Sequence, residues 1–140
     1  MSTTKTNITV ETEVNAPIEK VWDSWTNPIH ITKWNQASPD WHTPKAENDL
    51  RIGGIFKSTM AAKDGSMSFD FWGTYTNVIP NHRIEYTMGD GRQAKIIFET
   101  KGSTVRVIET FEAEGENSIE LQRGGWQAIL NSFKSYTEAL

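Results

Sequence analysis

The sequence predicts an α+β fold: a curved antiparallel sheet of six or more strands gripping one long C-terminal helix, with two short helices after the first strand. Two observations carry this expectation. From Leu50 to Glu112 the chain is a succession of period-2 runs joined by tight turns, and connections that short force antiparallel pairing. From Asn117 to Leu140, the residues Trp126, Ile129, Leu130, Phe133, Tyr136 and Leu140 recur at three- and four-residue steps, the stripe a helix buries against a larger surface. A chain of 140 residues makes a single domain, 1–140, large enough for a real core.

The elements follow in order. Ile8 to Val14 alternates, with Ile8, Val10, Thr12 and Val14 on one face and Thr9, Glu11 and Glu13 on the other, as in a half-buried strand. Asn15-Ala16-Pro17 opens a helix whose stripe is Ile18, Val21, Trp22 and Trp25, and Asn27-Pro28 ends it, because the residue before proline avoids the helical region. A second short helix carries Ile31 and Trp34. Asn35 to Asn48 has no clear period, holds Pro39 and Pro44, and reads as a loop; Trp34 and Trp41 either form a lid or plug the sheet edge.

Gly53-Gly54 is a turn before a strand from Ile55 to Ala62. Lys63-Asp64-Gly65-Ser66 is a hairpin connection with Asp-Gly as its signal. Met67 to Ile79 is a long strand with Met67, Phe69, Phe71, Gly73 and Tyr75 on one face, and Gly73 suggests a bulge or bend. Strands at Arg83–Met88, Gln93–Thr100 and Thr104–Glu112 are separated by Gly89-Asp90-Gly91 and Lys101-Gly102-Ser103. Asn117 with Glu120 resembles the start of the final helix. Gly124 and Gly125 each cost about 1 kcal/mol inside a helix, so they demand close backbone approach or open space beside them. The first strand, cut off from the others by helices, is expected to pair far along the chain and help close the sheet.

Composition narrows the function. Charged residues make up 23% and apolar ones 36%, which suits a folded soluble domain. The net charge is −4 with no basic cluster, so nucleic acid is not an expected partner. No apolar run reaches membrane-spanning length, and Met1 to Asn7 is polar with no signal-like apolar core, so a cytoplasmic location is expected. The absence of cysteine removes disulfides and thiolate chemistry. Six tryptophans and six phenylalanines are enough to serve a core and also line a pocket.

Four segments together resemble a known family: Asn15-Ala16-Pro17-Ile18-Glu19-Lys20-Val21-Trp22, Asp49-Leu50-Arg51-Ile52-Gly53-Gly54-Ile55-Phe56, the stretch from Gly73-Thr74-Tyr75 through Ile79-Pro80 to Arg83-Ile84-Glu85-Tyr86-Thr87, and Gly125-Trp126-Gln127-Ala128-Ile129-Leu130. In this order, across Ile8 to Tyr136, they are similar to the START-like helix-grip (SRPBCC) superfamily, and within it to bacterial proteins related to the C-terminal domain of the activator of Hsp90 ATPase. The resemblance implies a curved sheet gripping the last helix, usually over a cavity. It also implies a choice of roles: ligand carrier, cyclase-like enzyme or chaperone partner. The eukaryotic activator carries a further domain ahead of this one, and only six residues precede Asn7 here, so the same two-domain mechanism is not expected.

No hydrolase elbow, P-loop, Rossmann fingerprint or zinc-binding His-Glu pattern occurs. His30, His42 and His82 are scattered, without a carboxylate at ligand spacing, so neither a metal nor a cofactor is expected. Glu109 shares a strand face with Val105, Val107 and Phe111. It is either an inward acid–base group or polar anchor, or a strand-end carboxylate that reaches solvent or pairs with an arginine; the second is the commoner fate of a carboxylate. Arg123 either guards a cavity mouth or sits on the surface.

The expected function is a small-molecule binding module, a carrier or sensor of a hydrophobic or amphipathic ligand. Phe56, Phe69, Phe71, Trp126, Leu130 and Phe133 would line one apolar cavity beneath the helix, with Trp34 and Trp41 near its mouth and Glu109 as its polar group. No catalytic residue is assigned. An Hsp90-activator-like interaction module is the alternative, with a chaperone partner and an exposed patch on the strands. A cyclase- or dehydratase-like enzyme is the second alternative, with Glu109 as its only acid–base group.

Overall fold

A computed structural model describes residues 6–140; the first five positions of the polar lead read at Met1 to Asn7 lie outside the described residues. The elements run β1 (Asn7–Val14), α1 (Ile18–Thr26), α2 (Pro28–Trp34), β2 (Trp41–Asn48), β3 (Ile55–Ala62), β4 (Ser68–Ile79), β5 (Arg83–Met88), β6 (Gln93–Lys101), β7 (Thr104–Glu112) and α3 (Ile119–Glu138). The seven strands form one curled antiparallel sheet in the order β1-β7-β6-β5-β4-β3-β2. As its isolation in the chain requires, β1 pairs with the last strand, Ile8 opposite Phe111 and Val14 opposite Val105. Its alternation buries Ile8, Val10 and Val14 and exposes Thr9, Glu11 and Glu13.

Both sheet edges are managed. Along β1, Gln127 Nε2 donates to the Glu11 carbonyl at 3.1 Å and Lys134 Nζ to the Glu13 carbonyl at 2.8 Å, so α3 covers the open row of acceptors. The other edge is β2, and it corrects the sequence reading of Asn35 to Asn48 as a loop. Its second half is a strand paired with β3, with a register shift between His42 and Lys45. Pro44 falls in that irregularity, a place where an edge strand tolerates a residue without an N–H. Exposed Lys45 and Glu47 then erase the period-2 signal.

Asn27 ends α1 and also caps α2, its side chain accepting from the Ile29 N–H at 3.0 Å, with Pro28 as the first residue of α2. This elbow folds α2 back on α1. It brings His30 Nε2 to 3.2 Å from Asp23 Oδ2 and His30 Nδ1 to 2.6 Å from the Tyr136 hydroxyl of α3. The partner carboxylate expected to be missing is therefore present, hidden in sequence on the far side of the elbow.

The helix α3 begins two residues later than expected. Ser118, not Asn117, is the cap, its hydroxyl accepting from the Leu121 N–H at 3.1 Å. Asn117 is occupied by the Glu114 carboxylate, at 2.6 Å through its backbone N–H and 3.0 Å through its side chain. Leu140 lies beyond the helix end and is 48% exposed.

Gly73 is not a bulge. The irregularity in β4 falls between Tyr75 and Asn77. Gly73 is demanded by close approach: a Cβ there would stand 2.8 Å from the Thr87 carbonyl oxygen and 2.9 Å from the Phe56 ring. The core lies between the concave sheet face and the helices, with Ile8, Ile84, Ile96, Val105, Phe111, Leu130 and Phe133 almost wholly removed from water.

Candidate functional site: the pocket beneath the C-terminal helix

The apolar stripe of α3 does two jobs along its length. In its second half, Leu130 and Phe133 are fully buried, and the Phe133 ring lies 4.9 Å from both Trp25 and Trp34. Tryptophans from α1 and α2 thus close that end with solid packing. In its first half, Trp126 stacks on Phe111 at 3.8 Å and meets the edge of Phe71 at 6.0 Å. Beside it, Gly124 and Gly125 have nothing within 4 Å of where a Cβ would stand. The double glycine marks open space, not a close contact.

At Gly125 that space is part of a pocket of about 490 Å³, whereas Gly124 faces solvent. The sheet supplies Phe56, Phe71, Tyr75 and Tyr86, with the Phe56 ring 4.7 Å from Tyr86 and 5.7 Å from Phe71. The helix α3 supplies Gly125, Trp126 and Ile129. Trp41 and the 49% exposed Phe69 stand together at the rim, their rings 5.9 Å apart.

Of the residues singled out from sequence, Trp34, Trp41, Phe56, Phe69, Phe71, Glu109 and Trp126 line this pocket, whereas Leu130 and Phe133 do not. The helical stripe is simply longer than the pocket, and its lower half belongs to the core. Trp34 sits deeper than the mouth position expected of it. It is 4% exposed, and its indole N–H donates to the Ser24 carbonyl at 2.8 Å, which fixes it as back wall. Arg123 is exposed and lies outside the pocket.

Glu109 is the polar feature of the pocket. The strand reading placed it on the Val105–Phe111 face, and it does point to the concave side, only 6% exposed, between Val10 of β1 and Ile96 of β6. The strand-end fate does not apply, because β7 continues to Glu112. Among the described residues its carboxyl makes no hydrogen bond or ion pair. Burial alone pushes its pKa up to about 8. Near neutral pH it is mostly a neutral carboxylic acid, able both to donate and to accept a hydrogen bond.

Tyr86, Tyr75 and Arg92 are among the further polar residues that reach the pocket and were not singled out. Tyr86 is buried on the concave face, its hydroxyl makes no hydrogen bond among the described residues, and its pKa is raised by burial first and by the Glu109 charge second. The alternation of Ile84, Tyr86 and Met88 in β5 carried that signal. Tyr75 is already committed: it donates to Asn48 Oδ1 at 2.6 Å, and Asn48 in turn donates to the Thr26 carbonyl at 2.6 Å. Arg92 is held by the Asp90 carboxylate at 2.7 Å and the Glu112 carbonyl at 3.0 Å. Nothing in sequence spacing pointed to Arg92, which comes from a turn. Among the described residues no group of three or more His, Asp or Glu is placed to hold a metal ion, and no helix is long and apolar enough to cross a membrane.

A curled antiparallel sheet that grips a long C-terminal helix defines the helix-grip class of α+β proteins. Within that class the chain belongs to the family described as activator of Hsp90 ATPase homolog 1-like protein, whose model matches residues 15–138. Two solved structures agree closely. An AHSA1-like protein from Aeromonas hydrophila is 44% identical, with a TM-score of 0.90 over 96% of this chain and 93% of that one. A protein from Cytophaga hutchinsonii is 61% identical, with a TM-score of 0.82 over 95% of this chain and 92% of that one. A Nitrosomonas europaea protein at 20% identity shares the fold, with a TM-score of 0.82 over 95% and 94% of the two chains. No curated protein matches the chain.

Proposed function

We propose that this protein binds a small hydrophobic or amphipathic molecule between its sheet and α3, as a carrier or sensor. One observation carries the reading: an aromatic-walled pocket of about 490 Å³ holds a single buried carboxyl with no partner among the described residues. Ligand sites are typically concave, mostly apolar, and oriented by a few polar groups, and that volume falls within their usual range of roughly 300–1,000 Å³. A fold stabilised only by packing gains nothing from leaving such a space beside a helix glycine, Gly125.

The test is a titration with N-phenyl-1-naphthylamine, an uncharged fluorescent probe. Saturable binding of one probe per chain is expected, and Gly125→Phe should abolish it while the far-UV circular dichroism stays unchanged, since the new ring would enter the open space beside Gly125. Binding that never saturates, or that survives Gly125→Phe in a folded variant, refutes the reading.

One feature favours a second reading as an interaction module for an Hsp90-class chaperone. On the convex face of the sheet, Trp72 is 42% and Ile55 52% exposed, and they stand diagonally across β4 and β3. Stimulation of the chaperone's ATPase by the protein, lost in Trp72→Ala, supports it; an ATPase rate unaffected by the protein removes it.

A further inference from the structure

The chemistry of the pocket narrows the class of ligand. Apart from Glu109, the titratable or charged side chains that face it are Tyr75 of β4, Tyr86 of β5, Arg92 of the β5–β6 turn and Glu47 of β2, while α1, α2 and α3 contribute none. Tyr75 is bonded to Asn48, and Arg92 to Asp90 and to the Glu112 carbonyl. Glu47 is exposed on the edge strand. What remains unpartnered in the interior is an acid, Glu109, and a phenol, Tyr86, within reach of each other's field. Around them stand the rings of Phe56, Phe71 and Trp126, whose faces attract a cation through the ring quadrupole.

An anionic head group would have to enter a low-dielectric space whose deep ionisable groups are an acid and a phenol, with the nearby guanidinium already bound to a carboxylate. A cation meets a carboxyl that can ionise to receive it, in surroundings that strengthen the pair. We propose that the pocket selects hydrophobic amines, with the apolar body among the aromatic rings and the ammonium group held by the Glu109 carboxylate. This rests on the pocket being a ligand site.

Proton balance makes the idea measurable. The free carboxyl is mostly protonated at pH 7, given a pKa of about 8. An ammonium arriving from water with its proton forms the pair only when Glu109 gives its proton to solvent. About 0.9 proton should therefore be released per amine bound at pH 7, and progressively less as the pH passes 8. An alcohol of the same shape releases none, because it hydrogen-bonds the neutral acid.

The experiment compares 1-(aminomethyl)naphthalene, 1-naphthalenemethanol and 1-naphthoate as competitors of N-phenyl-1-naphthylamine. It adds calorimetry of the amine in phosphate and in Tris, whose different ionisation enthalpies count the protons released. The amine should bind at least about tenfold more tightly than the alcohol, the scale of one charge-assisted hydrogen bond. That preference should shrink to within about threefold in Glu109→Gln. Equal affinity for amine and alcohol, a preference for naphthoate, or amine binding without proton release overturns the proposal while leaving the pocket a ligand site. If none of the three competes and the probe itself does not bind, the site reading fails and the proposal falls with it. The proton count uses the unaltered protein, so it stands whether or not Glu109→Gln folds.

Discussion

Glu109 should make the stability of this protein fall as the pH rises through neutrality, and its neutral isostere should remove that fall. In the folded chain the carboxyl is buried with no partner among the described residues, and its pKa is about 8, against 4.5 for the free side chain. The folded state therefore holds a proton that the unfolded state has already released. Below about pH 4.5 both states are protonated and Glu109 contributes no pH dependence. Between the two values, each pH unit costs about 1.4 kcal/mol of stability, and above about pH 8 both states are ionised and the loss is complete. At pH 7 the accumulated loss is about 3 kcal/mol, from the interval between the free side chain's 4.5 and pH 7. Glutamine keeps the shape and polarity but cannot ionise. Urea denaturation of both proteins from pH 5 to pH 8 should show Glu109→Gln gaining on the parent by about 3–4 kcal/mol across that interval, with every other titrating group cancelling in the difference. Melting temperatures should separate by on the order of 10 °C at the alkaline end. Parallel stability curves would refute the reasoning, because they would mean that Glu109 is solvated or paired in the folded chain.

The division of α3 between core and pocket predicts opposite phenotypes for two phenylalanines. Phe133→Ala should lower stability by about 3–5 kcal/mol, because it removes a fully buried ring between two tryptophans. Phe69→Ala, at the half-exposed rim, should cost less than about 1 kcal/mol in urea denaturation yet weaken probe binding several-fold. The two kinds of glycine should likewise part company in thermal melts. Gly124→Ala, with open space at its Cβ, should stabilise by up to about 1 kcal/mol, whereas Gly73→Ala should destabilise by about 1–3 kcal/mol through its clash with the Thr87 carbonyl and the Phe56 ring. Thr137→Val should be neutral or up to about 1 kcal/mol stabilising in urea, since its fully buried hydroxyl has no hydrogen-bond partner among the described residues.

What the sequence revealed and what it hid follow from the physics of each element. Strands buried on one face announce themselves, because water enforces the alternation. That is why β7 could be read residue by residue and Glu109 put on one face with Val105, Val107 and Phe111, while its burial stayed open. The strand β2 was invisible because an edge at a sheet irregularity neither needs alternation nor excludes proline. The α3 stripe was legible as an apolar face, but nothing in its spacing said where core ended and pocket began. That boundary is set by Trp25 and Trp34, which arrive from other helices. The double glycine was the one local hint, since open space is one of only two conditions that justify its cost in a helix. Arg92 and the Asp23–His30–Tyr136 contact depend on a turn and an elbow that bring distant side chains together.

The central claim, that a small apolar molecule sits between the sheet and α3, is tested most directly by the indole N–H signals of the tryptophans in a nitrogen–proton correlation spectrum. These signals are recorded as N-phenyl-1-naphthylamine is added. Trp41 and Trp126, at the rim and wall of the pocket, should shift along a single saturating curve, while Trp72 on the convex face stays still. Movement of Trp72 alone, with Trp41 and Trp126 unmoved, would contradict the account and place the binding surface on the outside of the sheet.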